Sequence, residues 1–134
     1  MIKPVDLETI WRIRHEVMYP ELPIDHIKLS DDPRGTHLAV FVNNEPVSVI
    51  SLFERDGVWQ FRKFATLVTH QGKGYGTLLL DHSMTLAKDR SATSIWCNAR
   101  TTASALYERF GMRPVGDTWT VNGHSYIRME KTFI

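Results

Sequence analysis

The alternation of apolar and polar positions divides this chain into helical and extended stretches. Leu7, Ile10, Trp11, Arg14 and Met18 stand three and four residues apart, the period of one helix face. That spacing predicts a helix over residues 7–17, with Asp6 placed to cap it and Pro20 and Pro23 to stop it. Residues 2–5 read as a first strand, residues 24–29 as a short second helix, and residues 31–35 as a loop in which Asp31 and Asp32 form a solvated turn. Strands follow over 36–42 and 46–54, joined by a turn at Asn43-Asn44-Glu45, and another over 58–68 after Asp56-Gly57. A helix over 75–90, a compact strand over 94–99 and a helix over 102–110 closed by Gly111 come next. Strands over 112–121 and 124–133 form a last hairpin across Asn122-Gly123. This order predicts a mixed α/β (α+β) sheet with helices on its faces, in a single domain spanning 1–134.

Composition narrows the class. Apolar residues make up 43% and charged residues 23% of the chain, the balance of an ordinary globular domain. Sixteen basic and fifteen acidic side chains leave a net charge of +1, without the basic excess of a nucleic-acid binder. Cys97 is the single cysteine, so no internal disulfide is expected. The N-terminus lacks a signal-peptide core, and the most apolar window, residues 47–53, is too short to span a bilayer. A cytoplasmic location with no membrane partner is the expectation.

The candidate chemistry begins at Gln71-Gly72-Lys73-Gly74-Tyr75-Gly76, between a predicted strand and a predicted helix. A helix N-terminus offers unpaired N–H groups and partial positive charge to a phosphate, and glycines allow close backbone approach. The spacing is neither that of a P-loop nor G-x-G-x-x-G. By spacing alone the loop is equally a phosphate seat or a tight turn.

Context extends the reading. Gln71, Gly74 and Gly76 form Gln-x-x-Gly-x-Gly, which resembles motif A of the GNAT superfamily of N-acetyltransferases. Ala103 with Leu106-Tyr107-Glu108-Arg109-Phe110-Gly111-Met112 resembles that family's second signature on the helix after the fifth strand. Ile13-Arg14-His15, Gly35-Thr36-His37-Leu38, Phe61-Arg62, Ala65-Thr66-Leu67 and Trp96-Cys97-Asn98-Ala99-Arg100-Thr101 are similar to the small bacterial glyphosate N-acetyltransferase group. The resemblance implies a mostly antiparallel sheet of about seven strands with about four flanking helices, splayed between strands four and five. It implies acetyl-CoA as co-substrate, a small amine acceptor, and by analogy a homodimer.

Site residues follow from the same resemblance. Leu67 and Val68 would pair with the pantetheine arm, and a free amide near them would polarise the thioester carbonyl. The amides of Gly72, Lys73, Gly74, Tyr75, Gly76 and Thr77 would hold the pyrophosphate, with Asn98 touching the arm or satisfying the splayed strand edge. Tyr107 stands where the family has a general acid. A free Tyr titrates at about 10 and a thiol at about 8.5, so proton transfer needs little tuning. Its alternative reading is a buried, hydrogen-bonded core aromatic.

Arg62 and Arg100 match positions that bind the acceptor's anionic groups in the glyphosate-type group, as guanidinium suits carboxylate or phosphonate. Tyr19 stands where that group has a further arginine, a departure that counts against a dianionic acceptor. The group's acceptor-binding histidine aligns with Tyr126. His124, two residues earlier on the same face, is either a base or an exposed turn residue. Cys97 reads as core, the four tryptophans as core or hairpin packing, and the histidines show no metal-ligand spacing. A protein N-acetyltransferase and a non-catalytic acyl-CoA-binding module are the competing readings.

Overall fold

The computed structural model describes residues 1–133; Ile134, the last residue of the expected domain, lies outside them. Seven strands form one sheet: β1 (Ile2–Pro4), β2 (Thr36–Val42), β3 (Glu45–Arg55), β4 (Val58–Thr66), β5 (Ser94–Arg100), β6 (Arg113–Val121) and β7 (His124–Thr132). Their spatial order is β1-β2-β3-β4-β5-β7-β6, antiparallel except for the parallel pair β4–β5. Helices α1 (Leu7–Met18), α2 (Tyr75–Asp89) and α3 (Ser104–Arg109) cover its faces.

The local signals act as their chemistry requires. Asp6 caps α1 by accepting from the Thr9 amide at 2.8 Å. Three hairpins close on two-residue turns, Asn43-Asn44, Asp56-Gly57 and Asn122-Gly123, with every turn residue in the left-handed region. That matches the right-handed twist of the flanking strands. Glu45, expected in the first turn, belongs to β3. Three α-helices form among the described residues rather than about four. Ile24–Ile27 winds only as a single 3₁₀ turn, because four residues after Pro23 are too few to sustain an α-helix. The strand expected to reach Val68 ends at Thr66, and Val68–His70 turns as 3₁₀.

Two cores sandwich the sheet. Leu79, Leu80, Met84 and Ala87 of α2 pack with Leu38, Val40, Ile50, Leu52 and Phe61 on one face. On the other, Ile10 and Ile13 of α1 pack with Ala39 and Val49. Beneath α1 lies a buried polar network. Arg14, on the inner helix face, donates to both carboxylate oxygens of Asp32, to the Ser51 hydroxyl and to the Ile27 carbonyl. Trp11 Nε1 also donates to Asp32, and His37 bridges the Ser51 hydroxyl and the Asp32 carbonyl. Asp32 is thus no solvated turn residue: it is 1% exposed. Burial raises its pKa, but hydrogen bonds from Arg14, the Leu29 amide and Trp11 outweigh this and bring it down to about 2.

Candidate active site

Strands β4 and β5 pair only from Val58–Ser94 to Gln60–Trp96. Beyond that point β4 stays with β3 as far as Thr66, while β5 follows β7 to Arg100, so the sheet splits open. The split forms a cleft of about 850 Å³ reaching from Tyr19 to Gly76. Because Gln60 lies beside Trp96, strand alternation sends Arg62, Asn98 and Arg100 to the α1 face. Phe61, Cys97 and Ala99 face α2 and α3. Both sets line the cleft, which therefore passes through the sheet.

A bulge shapes its wall. Between the pairs Val49–Ala65 and Ser51–Arg62, β4 carries one residue more than β3. Lys63 takes up the extra residue with φ 54°, a left-handed backbone costing a non-glycine about 1 kcal/mol. The extra residue also resets the alternation. Phe61 and Phe64, three apart, both face the main core and meet edge-to-face at 6.2 Å.

The glycine loop stands at the other end. Gly72 and Gly74 have φ of 76° and 86°, and Gly74 is the N-cap of α2. Gly76 packs on β4, where a Cβ would lie 3.3 Å from Phe64 Cζ and 3.5 Å from Thr66 Oγ1. The Gln71 side-chain amide donates to the Thr66 carbonyl at 3.0 Å, tying the loop to the strand end. The first backbone bond of α2 runs from the Leu78 amide to the Gly74 carbonyl. The amides of residues 72–77 have no backbone acceptor among the described residues. Space beside Gly72 and Gly74 is open for 4 Å. A row of unpaired N–H donors at a helix start is the chemistry that suits an anionic phosphate.

Of the two residues expected to meet the pantetheine arm, Leu67 is already committed. Its amide donates to Val47 and its carbonyl accepts from His70. Val68 keeps a free N–H among the described residues and is 76% exposed. Asn98 lines the cleft between the two faces.

Tyr107 closes the wall from α3, its ring 5.5 Å from that of Phe61. Its pKa does not stay near the ordinary tyrosine value. Burial, and then Cys97 nearby, push it well above that value, so the hydroxyl keeps its proton throughout the neutral range. Burial likewise raises the Cys97 thiol to about 12, consistent with a core residue.

Arg62, Arg100 and Tyr19 all line the cleft, as does Tyr126, which pairs with Arg100 across β5–β7. Trp119 stacks on Tyr126 at 6.0 Å, so its role is hairpin packing. His124 is not brought to the cleft: it lies exposed beside the Asn122-Gly123 turn, paired with Val121. Lys63 also lines the cleft; the sequence carries no sign of this, because a bulge is set by pairing with β3 and leaves no periodic signal. Among the described residues no group of three His, Cys, Asp or Glu side chains is placed to hold a metal, and no helix is long and apolar enough to cross a membrane.

Residues 8–133 match the family model of the acetyltransferase (GNAT) domain. The chain belongs to this family. GNAT acetyltransferases move an acetyl group from acetyl-CoA to an amine, and this GNAT chain is accordingly an N-acetyltransferase. It is 26% identical to the uncharacterized N-acetyltransferase YitI of Bacillus subtilis (strain 168), an alignment covering 98% of this chain and 95% of YitI. Its fold resembles an acyl-CoA N-acyltransferase from Pseudomonas aeruginosa, with TM-score 0.80, 17% identity and coverage of 98% and 97% of the two chains. It also resembles a Bacillus subtilis acetyltransferase solved in complex with CoA, with TM-score 0.75, 16% identity and coverage of 99% and 98%.

Proposed function

We propose that this GNAT enzyme acetylates the amine of a small, anionic, amino-acid-like acceptor. One observation carries the reading. Arg62 and Arg100 stand on the α1 face of the split sheet, in a cleft whose lining includes no carboxylate among the described residues. A guanidinium pair without counter-charge favours an acceptor bearing carboxylate or phosphonate. The residues matching the glyphosate N-acetyltransferase group support the same class of acceptor.

In this reading the residue 72–77 amides hold the pyrophosphate of the coenzyme, and acetyl-CoA supplies the activated acetyl thioester. The acceptor enters from the α1 face, anchored by Arg62 and Arg100, with Tyr126 and Tyr19 bounding its space. Two reactants fixed in one passage gain the rate advantage of positioning. The Val68 amide is the free donor available to a developing negative charge at that end. Tyr107 is the protonated hydroxyl available to the departing thiolate; burial also makes it a weaker acid than the thiol, so its proton moves only as charge builds on the sulfur. His124 would act as base only for an acceptor long enough to reach the hairpin tip.

The test is acetyl-CoA consumption against amino acids, aminophosphonates, neutral amines and lysine peptides. Preference for the anionic amines supports the proposal; acetylation of peptides without turnover of any free amine would reverse it.

A further inference from the structure

Lys63 is a cation in an unusual place. A bulge residue in the left-handed region favours glycine, yet this position carries a long charged side chain. Its Nζ lies 5.4 Å from the centroid of the Tyr19 ring, in the same cleft as Arg62 and Arg100. Among the described residues no carboxylate pairs with it. Asp32, the one buried carboxylate on this face among the described residues, is engaged by Arg14, Trp11 and the Leu29 amide. Burial, Arg62 beside it and Arg14 behind it all push the Lys63 pKa down, outweighing the upward pull of Asp32. Among the described residues the protein supplies no anion to this cation.

We infer that Lys63 is a third acceptor-binding cation, and that with Arg62 and Arg100 it selects acceptors carrying two acidic groups, such as an amino dicarboxylate or an amino acid bearing a phosphate. Tyr19 offers no charge from the end of α1, and the bulge supplies one over the Tyr19 ring instead. The left-handed backbone at Lys63 belongs to the same device. It breaks the strand alternation, so adjacent residues 62 and 63 both serve the cleft while Phe61 and Phe64 return to the core. The inference rests on the small anionic acceptor proposed above.

The experiment compares kcat/KM for L-aspartate and O-phosphoserine, with two acidic side-chain and main-chain groups, against L-alanine and ethylamine. Lys63→Gly removes the cation at a position where glycine relaxes the backbone, so folding is preserved, and Lys63→Arg restores charge. Expected is a wild-type preference for the two-acid amines. In Lys63→Gly that preference over L-alanine collapses roughly 10- to 100-fold, mainly through KM, and Lys63→Arg recovers part of it. An unchanged preference in Lys63→Gly overturns the inference, as does wild-type preference for L-alanine or ethylamine. Arg62→Gln and Arg100→Gln separate the two levels. If they weaken every anionic acceptor while Lys63→Gly leaves selectivity intact, only the third cation is refuted. If they too change nothing, the anionic-acceptor reading falls with it.

Discussion

Arg14 on α1 and Asp32 ahead of β2 form a buried bidentate pair, Nη1 2.8 Å from Oδ2 and Nη2 2.9 Å from Oδ1. The pair joins the helix to the loop preceding β2. Through Ser51, whose strand partner is Arg62, it also reaches β3 beside the Lys63 bulge. Removing one partner strands a charge in a dry site, so Asp32→Ala should cost about 3 kcal/mol or more. Chemical denaturation at neutral pH measures this, and a loss below about 1 kcal/mol would contradict it.

The same pair sets an acid dependence. Asp32 titrates at about 2 in the folded protein against an ordinary 3.8, so below about 4 the unfolded chain binds a proton that the folded chain refuses. Its contribution is therefore complete above pH 4 and is lost as pH falls towards 2. Stability curves of wild type and Asp32→Asn should converge across that interval, and parallel curves would show that Asp32 is not the group responsible.

Gly74 should matter to the coenzyme more than to the fold. Alanine there meets no atom within 4 Å but must adopt φ 86° on the side open to a phosphate. The expected result for Gly74→Ala is a loss of about 1 kcal/mol in stability with an acetyl-CoA KM raised roughly tenfold. Gly123→Ala, at φ 79° in a remote turn, serves as the control for strain alone. Equal effects of both variants on the acetyl-CoA KM would remove the loop from coenzyme binding.

Tyr107→Phe should reduce kcat on the order of 100-fold while leaving acetyl-CoA affinity in place. An acid works only while protonated, and Tyr107 is raised above its usual value, so the wild-type rate should show no loss from its ionisation up to about pH 10. A descending limb below pH 9 that Tyr107→Phe abolishes would refute burial as the controlling influence.

Cys97 should be chemically silent. With the thiol at about 12, the thiolate fraction at pH 8 is on the order of a thousandfold below that of a free cysteine. Iodoacetamide should label it quickly only after denaturation. Rapid labelling of the native enzyme would place Cys97 outside the core.

Periodicity and turn chemistry are local properties, so the sequence by itself determined α1 with its Asp6 cap, the turns at Asp56-Gly57 and Asn122-Gly123 and the glycine start of α2. The two family motifs, read at their places along the chain, also led to the GNAT family. Non-local pairing decided the rest. Asp32 looks solvated in a string of turn residues, and only the packing of α1 brings Arg14 and Trp11 onto it. The strand over Val58–Thr66 shows no sign of its bulge, because one extra residue exists only relative to the pairing of β3. That bulge turns Lys63 into the cleft and Phe64 into the core. The placement of His124 was equally non-local: strand alternation puts it on the same face as Tyr126, but the hairpin register leaves it at the tip. Residue types along the chain determined what this protein could bind, and the register between strands decided which of those side chains meet in one cleft.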